Sequence, residues 1–325
     1  MGMTADRQTP LGSPFGAKTS ATAVVEGLDL CGKNIIVTGG YSGIGLETVR
    51  ALAGRGACVM VPARRREVAR QALGSVAGDV NIASMDLGDL ASIRRFADDY
   101  CTSGRALHIL INNAGVMACP YAQIGPGWER QFGVNHLGHM ALSQGLLPAL
   151  QKTDGSRLVA LSSTAHIRGG VQWEDPHYLK SDYNKWQAYA QSKSANALFA
   201  LGADRKWQAF GVTAFSVHPG GIFTPLQRHL QLDEMVALGW KNPDGSIPPR
   251  VATLFKTPQQ GAATATWAAT SSLLDGHGGA YCEDCDIARF AGPDSQPWEH
   301  ARAWICDEAS ADRLWALSES MLAQV

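Results

Sequence analysis

The sequence predicts an α/β fold, a doubly wound parallel sheet with helices on both faces, on three observations. From Asn34 onward, short β-branched runs alternate with longer segments of helical period. The runs are apolar on both faces, as strands buried between two helical layers are. A glycine-rich turn joins the first run directly to the first long helical segment.

The expected strands are 34–38, 58–61, 80–83, 107–111, 158–161 and 212–217. Between the first two, Ile44, Thr48, Val49 and Leu52 fall on one helical stripe, and 90–100 and 191–207 show a similar pattern. Residues 1–20, rich in Thr, Ser, Gly and Pro, read as a mobile arm leading to a short helix near 22–26. Residues 221–257 break the rhythm, with Pro225, Pro243, Pro248, Pro249 and, just beyond, Pro258 around a weak helical segment at 226–238. That stretch reads as an excursion over one sheet edge, a lid or pocket wall, with a plain surface elaboration as the alternative. Two helical patterns, 259–272 and 309–322, close the chain.

Composition narrows the function. With 325 residues, 45% hydrophobic and 18% charged, the chain has ample material for a packed core, which excludes global disorder. Its 28 basic and 29 acidic side chains leave a net charge of −1, so it has no long-range field for collecting nucleic acid. No apolar stretch approaches the roughly 18 residues of a membrane span, and no leader pattern opens the chain; a soluble cytoplasmic protein is expected. Seven scattered cysteines read as reduced thiols. Cys282 and Cys285 form a lone CxxC with no second ligand pair, so no metal is expected there.

The first strand runs into Thr38-Gly39-Gly40-Tyr41-Ser42-Gly43-Ile44-Gly45. Free N–H groups at the following helix start favour a pyrophosphate, and the missing β-carbons let it approach the backbone. Further motifs follow in order: Asn112-Asn113-Ala114-Gly115, Asn135 in NHLGH, Ser162-Ser163, Tyr189-x-x-x-Lys193, and Pro219-Gly220-Gly221-Ile222-Phe223-Thr224. This ordered set resembles the short-chain dehydrogenase/reductase superfamily over roughly residues 30–325. The wording NNAGVM, VNHLGHMAL, YAQSKSANALF and SVHPGG is similar to the branch containing retinol dehydrogenases, WW-domain oxidoreductases and protochlorophyllide reductases. The resemblance implies an N-terminal arm (1–29) and one Rossmann-type dehydrogenase domain (30–325), with an inserted loop at about 166–186 and the lid-like excursion at about 221–257.

It also implies a nicotinamide dinucleotide. An NAD site usually carries a carboxylate about 20 residues past the glycines; here stands Pro62-Ala63-Arg64-Arg65-Arg66. Arg64 or Arg65 can pair with a 2′-phosphate, so NADP is expected, with NAD as the alternative. By resemblance Asp86 and Leu87 contact the adenine, although Asp86 also reads as a helix N-cap. Asn113, Ala114 and Gly115 line the adenine ribose side; Pro219, Gly220, Ile222 and Thr224 belong to the nicotinamide loop, with Ile222 and Thr224 holding the carboxamide.

Hydride transfer to or from a carbon bearing oxygen needs a matching proton transfer. Tyr189 is the candidate carrier, and Lys193, one helical turn away, supplies positive charge beside the phenol. By resemblance Ser163 donates to the substrate oxygen, Asn135 anchors a water near Lys193, and Ser162 serves packing or a local bond. Ser163 and Tyr189 stand 26 residues apart, so the intervening insert must loop out. Its Trp173, Tyr183 and Trp186, with Met117, Phe223 and Trp240, suggest a lipophilic or aromatic substrate, or else simply pack the insert. His136, His139, His166 and His218 lack metal-ligand spacing and read as buried, hydrogen-bonded histidines.

The sequence therefore points to an NADP-dependent alcohol dehydrogenase or carbonyl reductase acting on a small molecule. A reductase of an activated C=C bond and a non-catalytic dinucleotide sensor are the alternatives. Helices starting near Asn135 and Tyr189 are the expected faces of a homodimer, unless C-terminal elaboration keeps the chain monomeric.

Overall fold

The computed structural model describes residues 8–296 and 298–324. Its strands are β1 (Asn34–Val37), β2 (Cys58–Ala63), β3 (Asp79–Ser84), β4 (Ile109–Asn112), β5 (Gln123–Ile124), β6 (Trp128–Glu129), β7 (Ser156–Leu161), β8 (Val212–His218), β9 (Tyr281–Glu283) and β10 (Asp286–Ile287). Eight form one sheet in the order β10-β9-β8-β7-β4-β1-β2-β3, parallel except for the β9–β10 hairpin; β5 and β6 pair separately. Its helices are α1 (Ala21–Val24), α2 (Gly43–Ala53), α3 (Arg66–Leu73), α4 (Leu90–Thr102), α5 (Arg130–Phe132), α6 (Gly138–Leu150), α7 (Lys185–Trp207), α8 (Leu232–Ala237), α9 (Pro249–Leu254), α10 (Pro258–Gly261), α11 (Ala263–Thr270) and α12 (Glu308–Leu322).

Strand alternation builds two cores. On one face Ile36, Leu110, Leu158 and Ala214 pack beneath α4, α6, α7 and α12. On the other, Ile35, Val37, Ile111, Val159 and Phe215 pack against Val49 and Leu52 of α2 and Trp267 of α11. Side chains at i and i+1 of one strand point to opposite layers, so a run apolar at every position feeds both.

Several expectations are corrected. The β3 run is only partly buried, because it forms the sheet edge and has a neighbour on one side alone. Residues 8–20 of the expected mobile arm are docked, while its first seven residues lie outside the described ones. Buried Gln8 donates to the carbonyls of Tyr281 and Ala288 and accepts from Tyr281 N–H. The Asp286 carboxylate accepts from the N–H groups of Leu11, Gly12 and Ser13. The β9–β10 hairpin, absent from the sequence reading, closes on Asp284 and Cys285, both at positive φ (50° and 62°). Helix α7 starts six residues earlier than expected, since Asn184 caps it through Trp186 N–H and Gln187 N–H. The 226–238 segment splits into a 3₁₀ turn and α8, and 259–272 breaks at Ala262 into α10 and α11.

The chain's own α12 lies against the helices expected at a dimer face. Helix α12 crosses α7, with Trp315 stacked on Phe199 at 5.9 Å, and reaches α6 through Gln144 and Glu319. Among the described residues no helix is long and apolar enough to cross a membrane.

Candidate active site

The C-terminal ends of the central strands open into a cleft of about 370 Å³, where open α/β sheets bind ligands. Its floor is the glycine turn. Gly39 (φ +64°) and Gly43 (φ +53°) adopt backbone that a side chain would strain, and a β-carbon at Gly45 would lie 2.5 Å from the Gly39 carbonyl oxygen. Thr38, closing β1, uses its hydroxyl oxygen to accept from Asn113 N–H and Ala114 N–H, each at 2.9 Å. Asn113 Nδ2 returns a bond to the Thr38 carbonyl at 2.8 Å, so that side chain ties β1 to β4.

Tyr41, Ser42, Ile44, Asn113, Ala114, Gly115, Pro219, Gly220, Ile222 and Thr224 line the cleft with Gly39 and Gly43. Gly45 instead serves close packing behind it. At one end Arg64 and Arg65 follow β2. The Arg64 guanidinium lies 3.8 Å from the Asp86 carboxylate. Asp86 does not cap α4: Asp89 does, accepting from Ala91 N–H and Ser92 N–H, while Asp86 accepts from Gly88 N–H in a local turn. The Leu87 carbonyl faces Gly138, where a β-carbon would approach it to 2.4 Å.

Beyond the glycine turn, the structure brings Ser163, Tyr189 and Lys193 to one wall. Tyr189 and Lys193 share a face of α7, with Nζ 5.7 Å from the phenol ring centroid. Lys193 Nζ donates to the Leu161 carbonyl at 2.9 Å, and Ser162 Oγ donates to the Lys193 carbonyl at 2.8 Å, a bond across 31 residues to α7 rather than one within its own turn. Burial pushes the Tyr189 phenol up to about 12, against a hydrogen bond with Ser163 that favours the phenolate, and brings Lys193 down to about 8. Ser163 Oγ accepts from Ala165 N–H at 3.1 Å, which leaves its own proton to be donated.

Asn135 does not open a helix. It lies in a π-helical turn, Gly133–Leu137, between α5 and α6. Its amide is fully engaged: Nδ2 donates to the Val116 carbonyl and to Ser192 Oγ, and Oδ1 accepts from Val116 N–H. Its own carbonyl accepts from His139 Nδ1 at 2.8 Å. Asn135 thus stands behind the cleft, adjacent to Gly115 and Lys193 rather than in its lining.

Toward the 221–257 excursion the lining turns largely apolar, with Gln227 and Arg228 beside it. Met117, Leu226, Trp240 and Phe255 form it, and Trp240 meets Trp186 at 6.1 Å and Phe255 at 5.9 Å, both edge to face. Phe223 supports Phe255 from 4.8 Å. Two aromatic candidates are packing instead: Trp173 lies under the Arg313 guanidinium, and the Tyr183 hydroxyl joins Gln131, Glu129 and the Cys119 carbonyl. Phe255 and Leu226 were not anticipated; a lone aromatic between α9 and Pro258 carries no local signal of where the excursion folds back. All four singled-out histidines are buried, and burial lowers the pKa of each. Among the described residues no group of His, Cys, Asp or Glu could hold a metal ion. Cys282 and Cys285 are buried free thiols whose pKa burial raises.

Comparison with known proteins places this arrangement. The family model described as short chain dehydrogenase matches residues 33–235. The chain belongs to the short-chain dehydrogenase family. It is 43% identical over 294 residues to a probable oxidoreductase of Streptomyces lividans, covering 89% of this chain and 97% of that one. It is 37% identical over 296 residues to retinol dehydrogenase 12 of Mus musculus, covering 90% and 86%. A crystal structure of an uncharacterized Mycobacterium paratuberculosis protein superposes with a TM-score of 0.69 at 32% identity, covering 98% of this dehydrogenase and 97% of that chain. The Pseudomonas aeruginosa RhlG/NADP active-site complex matches at a TM-score of 0.59 and 25% identity, covering 78% and 95%. The protein is a short-chain-type NAD(P)-dependent oxidoreductase.

Proposed function

We propose that this dehydrogenase is NADP-dependent and interconverts a carbonyl and an alcohol on a lipophilic or aromatic small molecule. The observation that carries this reading is the lining of the cleft: Arg64 and Arg65 where β2 ends, Trp240 and Phe255 with Met117 and Leu226 toward the 221–257 excursion, and Tyr189 on the wall they share. The cradle fits a dinucleotide, since a β-carbon at Gly39 or Gly43 would be strained and crowded and the α2 N-terminus, Ser42 to Ile44, lines the cleft. Arg64 and Arg65 would hold a 2′-phosphate, Asp86 the adenine side, and Ile222 and Thr224 the carboxamide.

The bound nicotinamide would supply or take the hydride. The chain's own residues handle the oxygen and its proton. Ser163, with one lone pair held by Ala165 N–H, donates a hydrogen bond to the substrate oxygen and keeps its proton. Tyr189, kept protonated near neutrality by burial, gives its proton to that oxygen in the reducing direction. In the oxidising direction the phenol must give up a proton first, and the Lys193 ammonium beside the ring supports the charge. Asn135 acts behind them, fixing Val116 and Ser192 around Lys193. The 221–257 excursion contributes Leu226, Trp240 and Phe255 and serves as the lid that excludes water. The name of the mouse relative, a retinol dehydrogenase, supports a lipophilic alcohol or aldehyde.

The test is a panel of long-chain and aromatic aldehydes, ketones and enones with NADPH and with NADH. Alcohol product from an aldehyde or ketone, with NADPH preferred, is expected. Exclusive saturation of the enone C=C bond, or no turnover of any compound despite dinucleotide binding, would overturn the reading.

A further inference from the structure

We propose that His166 and His218 are positioning residues that clamp one peptide unit, Ser163–Thr164, and thereby aim the Ser163 hydroxyl. This rests on the reading of Ser163 as the donor to the substrate oxygen. The two ends of that peptide meet two different buried histidines. Its carbonyl lies 2.7 Å from His166 Nδ1, and its N–H, on Thr164, points at His218 Nδ1 from 3.1 Å.

The partners fix the tautomers. A carbonyl only accepts, so His166 carries its proton on Nδ1, which the Tyr281 hydroxyl oxygen also approaches, to 3.3 Å, as a second and longer acceptor; its Nε2 then accepts from Arg302 N–H at 3.4 Å. A peptide N–H only donates, so His218 Nδ1 is a lone pair, toward which Gly220 N–H also points at 3.5 Å. The two rings are therefore neutral and of opposite tautomer. Both are buried, at 1% and 8% exposure, and burial disfavours the charged form of each. The Lys256 ammonium beside His218 acts in the same direction.

Each jaw is held in turn. His218 ends β8, at the start of the 219–224 loop, so the clamp joins the Ser163 turn to that loop. The His166 ring packs edge to face on Tyr281 of β9 at 5.1 Å, and the His166 carbonyl accepts from Trp304 Nε1 at 3.2 Å. This peptide lies beyond the end of β7, outside the ladder; its carbonyl also accepts from His166 N–H at 3.2 Å in the turn that follows, and a rotation about its flanking bonds would exchange the directions of its C=O and N–H. A donor on one side and an acceptor on the other satisfy only one of the two orientations. That orientation places Ala165 N–H on Ser163 Oγ, at the cleft wall beside Tyr189, and leaves the hydroxyl its own hydrogen bond to give.

The tautomers are read first, without turnover, from histidine ring ¹H–¹⁵N correlation spectra of the protein alone. His166 protonated on Nδ1 and His218 on Nε2 are expected; the same tautomer at both would overturn the clamp. Then His218→Asn, which keeps an acceptor near the Nδ1 position, is compared with His218→Gln, which moves it to the Nε2 position. His166→Asn and His166→Gln are compared likewise. On a substrate active in the panel, the Gln variants should lose kcat by about tenfold or more, the equivalent of one misplaced hydrogen bond. The Asn variants should stay within about threefold of the parent, with KM and NADPH affinity little changed in all four. Equal kcat for Asn and Gln variants would overturn the proposal.

Ser163→Ala separates the underlying reading from the inference. If that variant keeps full turnover, Ser163 is not the donor. If it loses turnover, adding His218→Gln should cost nothing further, because the histidine acts through the missing hydroxyl. A further drop equal to the one in the parent background would show that His218 acts elsewhere.

Discussion

At the end of β2, Arg64 is well exposed, with 68% of its side chain open to solvent, and its guanidinium leans toward Asp86. A charge-assisted bond to a 2′-phosphate contributes roughly 1.5–3 kcal/mol, or about ten- to a hundredfold in affinity. Exposure and the competing Asp86 place Arg64 at the low end of that range. Arg64→Asp should shift the ratio of NADP to NAD dissociation constants about tenfold toward NAD, and Arg64→Asp/Arg65→Ala further, at fixed ionic strength. An unchanged ratio in both variants would return these arginines to a solvated helix start. The serine pair divides at the same scale. Ser162 spends its hydroxyl on the Lys193 carbonyl, whereas Ser163 is left with a proton to donate, a difference of one backbone partner.

Among the elements, those legible in the sequence are the ones whose residues declare them locally. The runs that became β1, β4, β7 and β8 are apolar at successive positions because both layers cover them, and the Gly39–Gly45 turn announces α2. What stayed hidden depends on distant partners. The arm reads as mobile because Gln8 finds its acceptors 273 and 280 residues away, on β9 and just past β10. The π-turn at Asn135 is hidden in an ordinary helical pattern, and the histidine pair on Ser163–Thr164 exists only once β7, β8 and β9 lie side by side. Gln8→Ala would strand the Ala288 carbonyl and the Tyr281 N–H, while the Tyr281 carbonyl keeps Ala288 N–H, and should cost about 1–3 kcal/mol, read as a lower thermal or denaturant midpoint. No change in midpoint would mean the arm adds nothing to the fold. The excursion has its own test: Trp240→Ala removes the ring between Trp186 and Phe255. KM for a long-chain or aromatic substrate should rise about tenfold while NADPH affinity holds, since the ring lies at the end away from Arg64. A KM unchanged across the panel would make the excursion a surface elaboration.

Across the whole molecule, four buried histidines link stability to pH. Burial brings His136 down to about 3 and His139 and His166 to about 4, and takes His218 well below its ordinary value, with Lys256 adding to the effect. In the unfolded chain each titrates near 6.5, so below that pH the unfolded state binds more protons and stability falls as pH falls. Each histidine costs about 2 kcal/mol by pH 5, at 1.36 kcal/mol per unit. The melting temperature should therefore drop steeply between pH 6.5 and 5; a flat profile there would contradict the buried neutral state. Above that range the same burial keeps Tyr189 protonated, and in the proposed reaction this proton goes to the substrate oxygen. The direct measurement is NADPH oxidation by Tyr189→Phe, with an active aldehyde or ketone, beside its NADPH dissociation constant. Affinity within a few-fold of the parent and turnover lower by about 10² to 10⁴ are expected. Turnover within a few-fold of the parent would contradict this role of Tyr189.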